Sequence, residues 1–238
     1  MQRFLTRLRA EADAVFGPPW RAWRASGPMA FPLGIGAATV VALFGLFQHT
    51  AAGWWLIEHV AGVYQALPLH LILLRLPLSM FAPAPDLPAW GATLQVLIVF
   101  GLAETHLGRV RTLVTAVCVN ALTTLSARVM VLIGLHLYIG TPQVDAYELD
   151  TGPSTVVVAL CVYVALRCRA YMAMSAVVLA MTVEAVALPN LAGREHMVAL
   201  ALGAVAFLVG GRTRRSTTGG SPRPPGGGEA LPRQASRP

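Results

Sequence analysis

The chain has 238 residues, of which 55% are hydrophobic and only 12% are charged, and its mean hydropathy is +0.61. A soluble domain carries roughly a quarter of its residues as Asp, Glu, Lys and Arg, so this composition excludes an ordinary water-soluble globule and indicates a membrane protein with several apolar segments. The net charge is +7 and every basic residue is an arginine, but many of these lie near the two ends, so we expect no nucleic-acid-binding face.

Residues 1–28 predict an amphipathic helix on the cytoplasmic leaflet. Phe4 and Leu8 alternate with Arg3 and Arg7, a pattern typical of helices that lie in the membrane interface. The segment lacks the uninterrupted apolar core of a signal peptide. We therefore expect the first membrane span to be retained as an anchor.

Six segments are predicted to cross the membrane as helices. They are residues 29–47, 87–102, 110–133, 153–166, 171–188 and 197–210. A seventh candidate, 67–81, contains Arg75 and two prolines, so we predict a re-entrant or interfacial element there. The fold class predicted for residues 29–211 is therefore an all-α bundle of six transmembrane helices.

The charge distribution favours six spans with both termini in the cytoplasm. Arginine excess in short loops marks the cytoplasmic side, and two arginine pairs, Arg109/Arg111 and Arg167/Arg169, follow the second and fourth spans. The loop 140–152 instead carries three acidic residues and no arginine. We predict a multi-pass protein of the plasma membrane with cytoplasmic N- and C-termini.

Two long stretches fall outside the predicted spans. Residues 48–86 form a predicted outer loop that contains two Trp, one Tyr and eight Leu residues. Trp and Tyr favour the membrane interface. We predict that this loop lies partly in the outer leaflet. Residues 212–238 are rich in Pro, Gly, Ser and Arg, which is typical of a disordered tail.

Ser154 and His196 begin two inward-running helices at similar predicted depths. We take Arg167 and Arg212 as the inner boundary of the two helices and count about 1.5 Å per residue from there. In a hydrocarbon core of about 30 Å, Ser154 then lies about 10 Å and His196 about 6 Å below the outer surface. Imidazole can accept the proton of an attacking serine hydroxyl, and helix N-terminal N–H groups can stabilise an oxyanion. In the structural alternative, the serine bonds a neighbouring turn or helix and the histidine is an interfacial residue.

Residues near the end of the second span resemble a signature of the rhomboid intramembrane serine proteases. Gly101, Glu104, Gly108 and Arg111 are similar to the GxxxExxxGxxR pattern of that family, with the first spacing one residue shorter. A second patch resembles the GxSG start of the family's catalytic helix. A third resembles its His-x-x-small-x-x-x-small pattern, a row of small residues that permits the close approach of spans four and six. The residues that match there are Gly152, Ser154, His196, Ala199 and Gly203.

This resemblance implies a rhomboid-like fold with a large membrane-associated loop between helices 1 and 2. It implies that Ser154 is the nucleophile, that His196 is the general base and acid, and that no third carboxylate takes part. No cofactor and no metal are expected. The expected partners are transmembrane segments of other proteins and the lipid bilayer.

The sequence departs from the family at the oxyanion site. The His and Asn that help rhomboids to bind the oxyanion align with Pro88 and Ala92, which cannot donate a side-chain hydrogen bond. Gly152 and Gln95 are the candidates for oxyanion or substrate contacts, although a structural role for the Gln95 amide is the alternative. Val158 replaces the family's aromatic ring that packs against the histidine.

Several other polar residues have structural interpretations. We expect Glu104 to bond backbone groups or Arg111, and Asn120 to bond a neighbouring helix. Arg128 and Glu184 lie in the outer halves of the third and fifth spans, where they can pair or snorkel separately. Four outer histidines lack the spacing typical of metal ligands, so we predict no metal site; they are His49, His59, His70 and His136.

Three functions are compatible with these patterns. The leading hypothesis is an intramembrane serine peptidase that cleaves transmembrane segments through a Ser154–His196 dyad. The second is a catalytically inactive rhomboid-like protein that binds transmembrane partners, because the oxyanion side chains are missing. A small-solute transporter is a third, although repeated halves and interrupted helices are not visible.

Overall fold

The described part of the chain is helical. The computed structural model describes residues 1–85, 88–134 and 140–217, and these ranges contain nine α-helices, no β-strand and one isolated bridge between Val63 and Asp150. This confirms the all-α prediction. The helices are α1 (Gln2–Ser26), α2 (Pro32–Gln48), α3 (Ala51–Val60), α4 (Leu69–Ser79), α5 (Ala89–Leu107), α6 (Arg109–Ile133), α7 (Ser154–Cys168), α8 (Tyr171–Ala187) and α9 (Leu191–Thr217).

Each of the six predicted spans overlaps one helix, namely α2 and α5 to α9. Two stretches are individually long and apolar enough to cross a membrane: α6 and the Leu191–Gly210 part of α9. A third crossing results if α1 and its following turn are counted with α2, to which they are bent by 59°. Helices α7 and α8 are apolar but have only 15 and 17 residues. The structure therefore has two or three candidate spans, and the count of six stays a prediction.

The N-terminal segment is a helix, as predicted, and it is fixed to two other helices. The carboxylate of Glu11 accepts hydrogen bonds from the N–H groups of Met172 (3.0 Å) and Ala173 (3.2 Å) in the first turn of α8. The ring of His106, near the end of α5, lies 2.9 Å from the carbonyl oxygen of Val15. An acid at a helix N-terminus satisfies otherwise unpaired N–H groups, so α1 joins the C-terminal end of α5 to the N-terminal end of α8.

Glu104 connects the start of α2 to the end of α5. One carboxylate oxygen accepts hydrogen bonds from the N–H groups of Leu33 (3.0 Å) and Gly34 (3.1 Å), and the other accepts one from Arg109 Nε (2.7 Å). The predicted backbone contacts are therefore confirmed, but Arg109 takes the place expected for Arg111. Gly108, another residue of the motif that resembles the rhomboid signature, has a φ of 85° and separates α5 from α6.

Helix α7 lies at the centre of the bundle, in contact with α5, α6, α8 and α9. Its residues from Thr155 to Leu160 are all buried, as expected of a helix that is apolar on every side. Ala199 of α9 is fully buried, and a Cβ added to Gly203 would lie against the carbonyl oxygen of Ala159 and 3.0 Å from its Cα. The predicted row of small residues in α9 therefore faces α7 at close range.

Polar contacts hold the stretch between α2 and α5 against α6. Arg128 donates to the carbonyl oxygens of Gln65 (2.8 Å) and Leu67 (2.6 Å), and Asn120 Nδ2 donates to that of Leu76 (2.9 Å). The 67–81 stretch folds as the short helix α4, which agrees with the prediction that it is not a simple span. The alternative in which Arg128 pairs with Glu184 is wrong, because Arg128 satisfies backbone carbonyls.

The end of α9 extends past the predicted start of the tail. The helix continues from the predicted boundary at residue 212 to Thr217. Residues 218–238, where the rest of the disordered tail is predicted, lie outside the described residues, as does Leu87 at the predicted start of the second span.

We predict that Gly203→Ala destabilises the protein, because the added methyl group meets the Ala159 backbone, and overpacking a tight contact costs about 1–3 kcal/mol. Gly36→Ala is the matched control, since a Cβ there meets nothing within 4 Å and alanine favours a helix by about 1 kcal/mol over glycine. Thermal unfolding in detergent, followed by circular dichroism, measures both changes. Equal midpoints for the two variants would contradict a close α7–α9 contact.

Candidate functional site

A cavity of about 310 Å³ lies at the end of the bundle where α7 and α9 begin. Both residues predicted as the catalytic pair, Ser154 and His196, line this cavity. Residues from α6, from the end of α8 and from the loop that precedes α7 complete the wall. The structure thus places the predicted nucleophile and base in one polar space, although they are 42 residues apart in the chain.

Ser154 is the first residue of α7 and is half-buried. Gly152, two residues earlier, has a φ of 132°, a region that side chains disfavour. Its N–H donates to the carbonyl oxygen of Ser79 at 3.1 Å and is therefore not free to bind an oxyanion. No side chain caps α7, so the N–H groups of its first turn are left for water or a ligand.

His196 lies in the second turn of α9 and is only 7% exposed. Its Nδ1 atom is 3.1 Å from Oε2 of Glu184 on α8. Because a carboxylate only accepts hydrogen bonds, this contact places the ring proton on Nδ1. Nε2 then presents a lone pair, and this buried atom has no hydrogen-bond partner among the described residues.

The contact with Glu184 differs from one prediction and bears on another. Glu184 was predicted to pair with Arg128 or to snorkel separately, and the family resemblance implies that no third carboxylate takes part in catalysis. The structure instead brings a carboxylate onto the proposed base. No hydrogen bond joins Ser154 to His196 within the described residues, so the two side chains share the cavity without direct pairing.

A smaller cavity of about 160 Å³ adjoins Ser154 on the side of α5. Gln95 lines it, as does Gly152, so the structure brings both tentative oxyanion residues next to the serine. Pro88 and Ala92, which align with the family's oxyanion side chains, also line it. They face the same space but carry no hydrogen-bond donor.

Two carboxyl groups of the main cavity hydrogen bond to each other, a feature that the sequence patterns did not reveal. Asp150 accepts a hydrogen bond from Gln65 Nε2 (2.8 Å) and shares a second with Glu195. Such a pair requires a proton on at least one of its members. Burial raises the pKa of Asp150 to about 6, and the hydrogen bonds with Gln65 and Glu195 oppose this rise. The available signal was that the acidic loop directly precedes α7 and that Glu195 adjoins His196.

The remaining polar residues have structural contacts. Thr123 bonds the backbone of its own helix at Val119 (2.9 Å), while Asn120 makes the interhelical bond that was predicted. His59 bonds the carbonyl oxygen of Trp55 and stacks on its ring. His136 lies outside the described residues.

Comparisons with protein-family models, with curated proteins and with solved structures find no match for this chain. The resemblance to rhomboid proteases therefore stays a prediction that rests on the residues quoted above.

We predict that Asp150→Asn makes the stability of the protein less dependent on pH. The raised pKa means that the folded state holds this proton more tightly than the unfolded state does, so folding takes up a proton between about pH 4 and pH 6. The wild type should therefore lose stability as the pH rises through this window. Asparagine cannot ionise but can still accept the hydrogen bond of Gln65.

Thermal unfolding midpoints from pH 4 to pH 8 measure this effect. Asp13→Asn, which removes an exposed carboxylate from α1, is the control and should follow the wild-type profile. A profile for Asp150→Asn that runs parallel to the wild type would contradict the raised pKa.

Proposed function

We propose that this protein is a rhomboid-like intramembrane serine peptidase, with Ser154 as the nucleophile and His196 as the general base and acid. The observation that carries the proposal is that His196 and Ser154 line one cavity and that the buried Nε2 atom of His196 has no hydrogen-bond partner among the described residues. A base must present an unprotonated nitrogen to the nucleophile. The contact of Nδ1 with a carboxylate leaves Nε2 in that state.

In the proposed reaction, Ser154 Oγ attacks the carbonyl carbon of a peptide bond, and its proton passes to His196 Nε2. The imidazolium then gives this proton to the leaving nitrogen as the C–N bond breaks, which leaves an acyl ester on Ser154. Water hydrolyses the ester, with His196 again as the base. The hydrogen bond between Ser154 and His196 would form on substrate binding, since such hydrogen bonds are often long without substrate.

The developing oxyanion would be stabilised by the first-turn N–H groups of α7, which no side chain caps. The amide of Gln95, in the adjoining cavity, is the candidate for a side-chain donor. The proposed substrate is a locally unwound transmembrane segment of another membrane protein. The proposed location is the plasma membrane, with a multi-pass topology, cytoplasmic termini and the cavity on the outer side.

The second candidate function is non-catalytic binding of transmembrane partners through the same space. The apolar side chains of Pro88 and Ala92 beside Ser154 favour it, because they remove side-chain oxyanion donors. The missing hydrogen bond between Ser154 and His196 also favours it. Both candidates predict contact with transmembrane segments, but only the first predicts a reactive serine.

We predict that a fluorophosphonate probe labels the wild-type protein in detergent or liposomes, and that Ser154→Ala abolishes this labelling. His196→Ala should lower the labelling rate by about 10³-fold or more, because the hydroxyl loses its base. Ser126→Ala is the matched control: its hydroxyl bonds the backbone of Thr123 within α6, so labelling should persist.

Labelling that survives in Ser154→Ala would assign the reactive serine to another position. If the folded wild type is not labelled, the peptidase proposal fails. Photo-crosslinking from residue 95 to a co-purified transmembrane segment would then support the second candidate.

A further inference from the structure

We propose that Glu184 is a positioning residue that sets the tautomer and the orientation of His196, so that the site is a Ser154–His196–Glu184 triad. This inference rests on the proposed function, because it assigns a task to the group that holds the proposed base. It departs from the dyad that the family resemblance implies. Its basis is the 3.1 Å contact between Glu184 Oε2 and His196 Nδ1.

The turn between α8 and α9 fixes the relative positions of the two side chains. Asn190 immediately precedes α9, and its Oδ1 accepts a hydrogen bond from the N–H of Gly193 (2.9 Å), which caps the helix. A Cβ at Gly193 would lie 3.0 Å from the Cα of Ala185, so the two helices are very close at this point. Glu184 precedes this close approach and His196 follows it. The geometry of the pair is therefore set by a capped, tightly packed turn.

Within the described residues, the only ion pair of the Glu184 carboxylate is the one with His196. Arg128, the partner expected for it, is fixed on the carbonyl oxygens of Gln65 and Leu67. The ion pairs within the described residues are Arg109–Glu104, at the opposite end of the bundle, and His196–Glu184 itself. The side chain of His196 is 9% exposed and that of Glu184 is 33% exposed, so the imidazole is held mainly by this one polar contact.

The contact has two chemical consequences. The Nδ1–H group donates to the carboxylate, so Nε2 carries the lone pair, on a ring that lines the same cavity as Ser154. When Nε2 takes the serine proton, the ring becomes positively charged, and the adjacent carboxylate compensates this charge. A carboxylate that joined α8 to α9 without contacting the ring would not affect the location of the ring proton.

Nitrogen-15 NMR of histidine-labelled protein tests the tautomer independently of catalysis, with the His196 signals assigned from their loss in His196→Gln. We expect the wild type to carry the proton on Nδ1. Glu184→Met, which keeps the side-chain length and suits an apolar surface, should lose this preference. Glu184→Gln should retain it, because the amide oxygen can still accept from Nδ1. Glu148→Ala, which removes a carboxylate from the cavity wall without contacting His196, should leave the tautomer unchanged.

The labelling rate of Ser154 provides the second measurement. Glu184→Met should slow the maximal rate by about 10- to 10³-fold with little change in the probe concentration at half-saturation, and Glu184→Gln should recover part of the loss. A folded Glu184→Met protein with the wild-type tautomer and labelling rate would overturn the proposal. If the wild type is not labelled, the peptidase function fails, while the tautomer experiment still decides the role of Glu184.

Discussion

The close packing of α9 on α7 is the contact on which the candidate site depends. Gly203 allows the backbone of α9 to approach Ala159, and the fully buried Ala199 lies on the same face one turn closer to the cavity. His196 continues this face at the start of the helix. Since α7 begins with Ser154, the approach of the two helices brings the imidazole to the cavity that contains the serine. Larger residues in this row would separate both the helices and the proposed pair.

A second constraint is that several charged side chains satisfy backbone groups. Glu11 and Glu104 accept from the N–H groups of helix starts, and Arg75 and Arg128 donate to carbonyl oxygens. An unpaired backbone group away from water costs several kcal/mol, so such contacts stabilise a bundle in an apolar environment. The same constraint explains why the Arg128–Glu184 pairing is wrong. With Arg128 engaged elsewhere, the carboxylate of Glu184 is left for His196.

The apolar segments predicted much of the helical structure, because each of them overlaps an observed helix. The small residues at Ala199 and Gly203 predicted the close packing of α9 on α7. The meeting of Ser154 and His196 in one cavity was also predictable, from their positions at two helix starts. The contacts of Glu184 and Asp150 were not, because they depend on how α8 turns into α9 and on how the loop before α7 folds back to Gln65. Sequence spacing contains no information on either turn. The number of membrane crossings is likewise not determined by length, since α7 is short but mostly buried.

Unpaired polar groups around Ser154 cost stability. They are easier to explain if the cavity binds a reacting carbonyl than if the cavity is purely structural. A buried polar atom without a partner costs about 1–3 kcal/mol, and both His196 Nε2 and the hydroxyl of Thr151 are in this state. The uncapped start of α7 adds backbone donors beside the serine. An acceptor for the serine proton and donors for an oxyanion are therefore present together, which a structural cavity does not require. Because Pro88 and Ala92 supply no side-chain donor, stabilisation of the oxyanion falls mainly on the backbone. The loss of one such donor slows an enzyme by about 10²–10³-fold, so the proposed hydrolysis would be slow.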